Sequence, residues 1–148
     1  MGQEHLPVVD LDSVKLAEDE YRSIYHSGSA EEVDSARFRL VWALVHSTTR
    51  LHQARGLELC RAKLKELPND REFRYFAAVA CYNLGHYIDA RRELSALLKD
   101  HPGFRQAEFL RGLTEDAIVR EGLMGVGIGA AVVGLGVGLA VLLGGGRK

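Results

Sequence analysis

Residues 71–90 read Arg71-Glu72-Phe73-Arg74-Tyr75-Phe76-Ala77-Ala78-Val79-Ala80-Cys81-Tyr82-Asn83-Leu84-Gly85-His86-Tyr87-Ile88-Asp89-Ala90, and the pattern that follows stops at Pro102. The small side chains of Ala77 and Ala78 let a neighbouring helix approach closely. Gly85 interrupts two helical runs, and Pro102 cannot continue the second. The same arrangement stands 34 residues earlier: Ala43 against Ala77, Val45 against Val79, His52 against His86, Gly56 against Ala90, Leu64 against Leu98 and Pro68 against Pro102. No segment sustains period-two alternation, so strands are not expected.

A 34-residue period with two helices per unit is the signature of a tetratricopeptide repeat. Outward from the second unit, Leu57, Cys60, Leu64 and Leu67 keep helical spacing up to Pro68, and Phe38 to Val45 is a mostly apolar run. Asn69 with Glu72 three residues on predicts a helix start, as does Ser29 with Glu32, a capping box in which side chain and backbone satisfy each other's orphan amides. Val14, Ala17, Tyr21 and Ile24 share one helix face and predict a helix over 13–26, ended by Gly28. Two repeats bury little alone, so helices over 13–26 and 104–121 are predicted to close the ends. The expected fold is all-α: a six-helix tetratricopeptide-like bundle, two repeats plus flanking helices, followed by one C-terminal transmembrane helix.

The charge distribution supports that last element. All 20 acidic and 17 of the 19 basic residues lie in 1–121, while residues 122–146 carry no charged side chain and Arg147-Lys148 follow. As a helix those 25 residues would measure about 37 Å, against a hydrocarbon core of about 30 Å. The predicted organisation is therefore an N-terminal arm (1–11), a cytosolic helical domain (12–121), a tail anchor (122–146) and a basic tail (147–148). Such a span is inserted after the chain is released and leaves the helical domain in the cytosol. A glycine-rich span followed at once by two basic residues points to mitochondria or peroxisomes. Cys60 and Cys81 fall at apolar helix positions and read as small buried residues in a reducing compartment.

Catalytic and metal chemistry find no residues to carry them. The six histidines lack metal spacing, and no GxSxG, HExxH or phosphate-binding loop occurs. Gly125-x-Gly127-x-x-Ala130 matches a dinucleotide fingerprint on paper, but no strand precedes it and too little chain follows for a βαβ unit. No catalytic residue, metal ligand, cofactor or small-molecule substrate is expected, and a mildly acidic domain without a basic aromatic stripe gives no reason to expect nucleic acid.

The helical register does select a binding face. In a repeat pair the first helix of each unit lines the concave side, and this register picks Val41 and Val45, then Tyr75, Val79 and Asn83, then Phe109 and Leu113 as a groove for an amphipathic or extended peptide. Trp42, Phe76 and Leu110, one position on, read mainly as core. Leu6-Pro7-Val8-Val9 is apolar and is expected to fold back into the groove, so that removing residues 1–10 raises affinity for a partner. In the anchor, Gly125, Gly129, Gly134 and Gly138 place small residues on one helix face suited to self-association and a homo-oligomer.

Phe38-x-x-x-Trp42-x-Leu44-Val45-x-Ser47, Arg55-Gly56-Leu57-x-Leu59, the block Arg71 to Ala90 and the approach Glu121-Gly122-Leu123-Met124-Gly125 together resemble the mitochondrial fission one protein family over nearly the whole chain after Asp12. His46 and Asn83 depart from basic residues found in some members. The resemblance implies a non-enzymatic receptor on the mitochondrial outer membrane, and also on peroxisomes, that engages a dynamin-related GTPase or its adaptors; occlusion of the groove by the arm is likewise proposed for the family. The competing expectation is a tail-anchored co-chaperone or import receptor, which would need a basic carboxylate clamp in the same groove.

Overall fold

The computed structural model describes the backbone of residues 5–132 and the side chains of residues 5–122. Six helices follow in order: α1 (Leu11–Tyr25), α2 (Ala30–Val45), α3 (Arg50–Glu66), α4 (Arg71–Asn83), α5 (Tyr87–Asp100) and α6 (Arg105–Val132). The chain divides into two compact units, Met1–Arg111 and Gly112–Lys148. In the first unit, α1 packs on α2, α2 on α3, α3 on α4 and α4 on α5, and α2 also meets α4. That is the contact pattern of two stacked helical hairpins with a helix laid against the first.

Helix boundaries follow from capping chemistry. Ser29 and Glu32 form the expected reciprocal box: Glu32 N–H donates to Ser29 Oγ at 3.2 Å and Ser29 N–H to Glu32 Oε2 at 3.0 Å. The start of α4 differs from expectation by one residue. Asp70, not Asn69, is the cap, its carboxylate accepting from Phe73 N–H at 3.0 Å. Pro68 lies within a turn closed by Asp70 N–H on the Leu67 carbonyl at 3.1 Å, which brings Asp70 rather than Asn69 to the cap position. α1 begins at Leu11 because Asp10 accepts from Ser13 N–H at 2.7 Å; this bond holds its carboxyl below the usual range.

The repeat is visible in the ends of its second helices. Leu67 and His101, 34 positions apart, terminate α3 and α5 with φ −130° and −134°, each donating to the carbonyl four residues back, just before Pro68 and Pro102. Between α4 and α5, Gly85 adopts φ 83°; its N–H bonds Tyr82 O at 3.0 Å and His86 N–H bonds Cys81 O at 2.8 Å. This pair of bonds is a Schellman stop, which only glycine enters without strain.

The core is aliphatic and small-residue rich. Leu40, Leu44, Leu94, Leu97 and Leu110 are fully buried with the small side chains of α4, Ala77, Ala78 and Ala80. Cys60 and Cys81 are buried there as free thiols, and burial pushes both thiols up, Cys81 to about 11, so neither ionises at neutral pH. Leu40 and Leu44 also pack with Val9, Val14 and Ala43 in a cluster that fixes the end of the arm and α1 against α2.

Of the sequence-predicted span, residues 122–132 continue α6 as helix, and residues 133–146 lie outside the described residues. Among the described residues no helix is long and apolar enough to cross a membrane.

Candidate protein-docking groove

α2 touches α1, α3 and α4, so little of its circumference stays open. What remains is a strip at four-residue spacing, Phe38 and Trp42, which leads to the buried His46 at the end of the helix. Phe38 and Trp42 are each 39% exposed, unusual for large aromatic side chains in the middle of a helix. Across from them α4 offers Arg71, Glu72, Tyr75 and Phe76, and the turn into α6 adds Phe104, Arg105 and Gln106; together they enclose a groove of about 610 Å³. It continues into an adjoining hollow of about 860 Å³ lined by Tyr75, Arg105, Gln106, Glu108 and Phe109.

Its floor is a ladder of rings. Phe73 meets Phe38 at 6.1 Å and Phe76 at 5.8 Å, Phe38 meets Phe76 at 5.1 Å, Phe76 meets Tyr75 at 6.3 Å, and Tyr75 meets Phe104 at 5.3 Å. The Arg71 guanidinium stands 4.7 Å over the Phe104 ring and also bonds Glu72, so it forms a polar wall rather than a loose cation. Burial pushes the Tyr75 hydroxyl up to about 12 and keeps it neutral as a hydrogen-bonding group at neutral pH. Such a surface suits an apolar peptide face with a few polar anchors.

The arm lies along this groove. Val9 N–H donates to the His46 carbonyl at 3.0 Å, making a single parallel bridge with Ser47, and Val9 is buried. Upstream, Leu6 and Pro7 line the larger hollow beside Tyr75 and Phe109, and Pro7 also borders the space over Phe38 and Trp42. His46, where the arm is pinned, is 3% exposed; its Nδ1 meets the Trp42 carbonyl at 2.7 Å and its ring lies 4.9 Å from the indole. Desolvation lowers its pKa, with the Trp42 bond partly opposing.

The register-selected residues do not all reach the groove. Tyr75 and Phe109 line the groove together. Val41, Val45 and Val79 are fully buried and present nothing to a ligand. Asn83 is half-buried and donates its amide to the Val45 carbonyl at 2.8 Å, closing the C-terminal end of α2. Leu113 is half-buried on α6 in the second unit. Trp42, read as core, is instead half-exposed on the groove wall, while Phe76 and Leu110 are indeed buried. Phe38, Glu72 and Gln106 were not selected, yet they are spaced 34 apart and all line the groove; shifting the register by three residues finds them. Gly125 and Gly129 fall on the described part of α6, and Gly134 and Gly138 outside the described residues.

Comparison with known proteins places these elements in a family. Residues 35–66, spanning most of α2 and all of α3, match the Fis1 N-terminal tetratricopeptide repeat, and residues 71–123 match the Fis1 C-terminal tetratricopeptide repeat. Mitochondrial fission 1 protein A of Arabidopsis thaliana is 33% identical over 136 residues, covering 90% of this chain and 80% of that one. The chain belongs to the mitochondrial fission 1 family. Its relative in Gibberella zeae is 41% identical over 114 residues, covering 76% of this chain and 74% of its own. Fis1 of Saccharomyces cerevisiae shares the fold at a TM-score of 0.65 and 22% identity, covering 82% of this chain and 98% of that one. Yeast Fis1 in complex with an Mdv1 fragment containing the N-terminal extension and coiled coil domains superposes equally well, at a TM-score of 0.65.

Proposed function

We propose that this chain is a mitochondrial fission adaptor whose aromatic groove takes a segment of a division-machinery protein, with the arm as its internal competitor. The observation that carries this reading is the half-exposed Phe38 and Trp42 strip, continuous with Tyr75 and Phe109 and bordered by the arm's own Leu6 and Pro7. Soluble domains rarely leave such aromatic surface open unless something covers it. Family membership supplies the biological setting, and the Mdv1 fragment bound by yeast Fis1 supplies a precedent for an adaptor as the occupant. The partner here is a dynamin-related GTPase or one of its adaptors.

In this reading residues 12–121 form the cytosolic receptor, and residues 122–146 anchor it in the mitochondrial outer membrane and in peroxisomes. Gly125, Gly129, Gly134 and Gly138 then offer a face for self-association within the bilayer. The co-chaperone alternative is disfavoured at Asn83. The Asn83 amide is engaged by the Val45 carbonyl at 2.8 Å, and the register-selected positions around it are apolar, so they offer no basic clamp for a terminal carboxylate.

Proximity labelling from the cytosolic domain in cells tests the assignment. Labelling of a dynamin-like GTPase or its adaptors, lost in a Trp42→Ala, Tyr75→Ala variant, is the expected result. Recovery of chaperones instead, with no change in the variant, would overturn it.

A further inference from the structure

Beyond Phe38, on the side away from the arm, the groove gives onto a smaller cavity of about 360 Å³ at the junction of α2, α3 and α4. Phe38 lines both spaces, and Phe73 forms the far wall. The charged groups around this cavity are not equally matched. Arg39 closes on Glu20 at 2.7 Å, and Asp70, a second carboxylate on the cavity wall beside Asp34, gives one oxygen to the Phe73 amide as the cap of α4. Lys63 and Arg37 are left, with side chains only 13% and 24% exposed.

Their anionic neighbours are distant. Lys63 Nζ stands 3.9 Å from Asp34, and the Arg37 guanidinium 3.9 Å from Asp34 and 4.0 Å from Glu66. All three separations exceed the roughly 3.2 Å limit of a hydrogen bond. Both acids are mostly exposed, so they neutralise charge loosely from the rim. An ammonium carries three donors and a guanidinium five. Among the described residues the Lys63 ammonium also stands over the Phe73 ring, 5.9 Å from its centroid. Two half-buried cations facing a shared hollow, walled by two phenyl rings, make a receptor for a carboxylate carried at the end of an apolar segment.

We infer that the partner segment seated in the aromatic groove ends in an acidic residue, whose carboxylate enters this cavity to bond Lys63 and Arg37 and displaces Asp34 as their counter-ion. This deepens the adaptor reading and rests on it. Charge complementarity sets polarity: the apolar face lies over Phe38, Trp42 and Tyr75, and the acid lies on the α3 side. Asp34 then acts as an intramolecular stand-in, and its removal should help the ligand rather than harm it.

The test is selection from a random 12-residue peptide display library against the full chain in detergent, repeated on Lys63→Met and Asp34→Asn variants. Wild-type selection should yield peptides with an apolar stretch and an acidic residue enriched at one end. Their affinity should fall roughly tenfold in Lys63→Met, the scale of one lost charge-assisted bond, and rise in Asp34→Asn. Selection on Lys63→Met should lose the acidic enrichment while keeping the apolar stretch. Binders of the same composition and affinity on all three proteins would overturn this inference and leave the groove standing. A chain that selects no peptide even with residues 1–8 removed would overturn the groove reading, and this inference with it.

Discussion

A methyl group built on Gly56, where α3 crosses α2, would lie 2.7 Å from Val45 Cγ1 and 3.1 Å from Leu44 Cβ. Valine cannot swing aside like a long side chain, so helix separation must give. Gly56→Ala is therefore expected to destabilise the domain by about 1–3 kcal/mol by urea denaturation, although alanine is the better helix former in isolation. An unchanged midpoint would mean that the hairpin opens freely. His46 gives a pH signature. Its folded pKa lies below its ordinary value of 6.5, so the native state prefers the neutral ring. Its contribution is then fully present above pH 6.5 and declines as pH falls from there toward the folded value. Between pH 7.5 and 5.5 the wild type should lose more stability than His46→Gln, and parallel pH profiles would contradict this. The 34-residue spacing marked Gly56 and Ala90 as equivalent small positions directly from the sequence. It did not reveal that Trp42 faces outward, because side-chain direction on α2 depends on which neighbours cover it, and that is a long-range property.

At the level of elements, the capping box at Ser29 was legible because every atom it needs lies within four residues. Ser29→Ala removes the acceptor for Glu32 N–H and should lower stability by about 1 kcal/mol, read as a shift in thermal midpoint with little change in binding. No shift would mean that α2 is held by packing alone. The α3 and α5 stops at Pro68 and Pro102 were equally readable, since proline acts on its own backbone. Asp70 was missed in favour of Asn69, because the turn after Pro68 decides which of two good capping residues reaches the helix start. Asn83 shows the same limit on a larger scale. Its bond to the Val45 carbonyl spans 38 residues, so a position chosen for a groove turned out to close α2.

For the molecule as a whole, the arm and the groove have to be considered together. Val9 belongs to the core cluster while Leu6 and Pro7 lie in the groove. Removing residues 1–10 would therefore damage packing as well as uncover the site, whereas removing residues 1–8 spares Val9. That division was not visible in the apolar run Leu6-Pro7-Val8-Val9, whose members look alike until α2 and α4 are in place. An intramolecular competitor reduces apparent affinity in proportion to the time it spends bound. The measurement that bears most directly on the groove is calorimetric titration of an apolar peptide, selected by display on this chain, into the full chain in detergent. It should be made on the intact chain, on a chain lacking residues 1–8, and on that truncated chain carrying Trp42→Ala and Tyr75→Ala. The expected order is tightest binding without the arm, weaker binding to the intact chain, and little or none once the aromatic floor is removed. Equal affinity for all three would contradict a groove that is both the docking site and the seat of the arm.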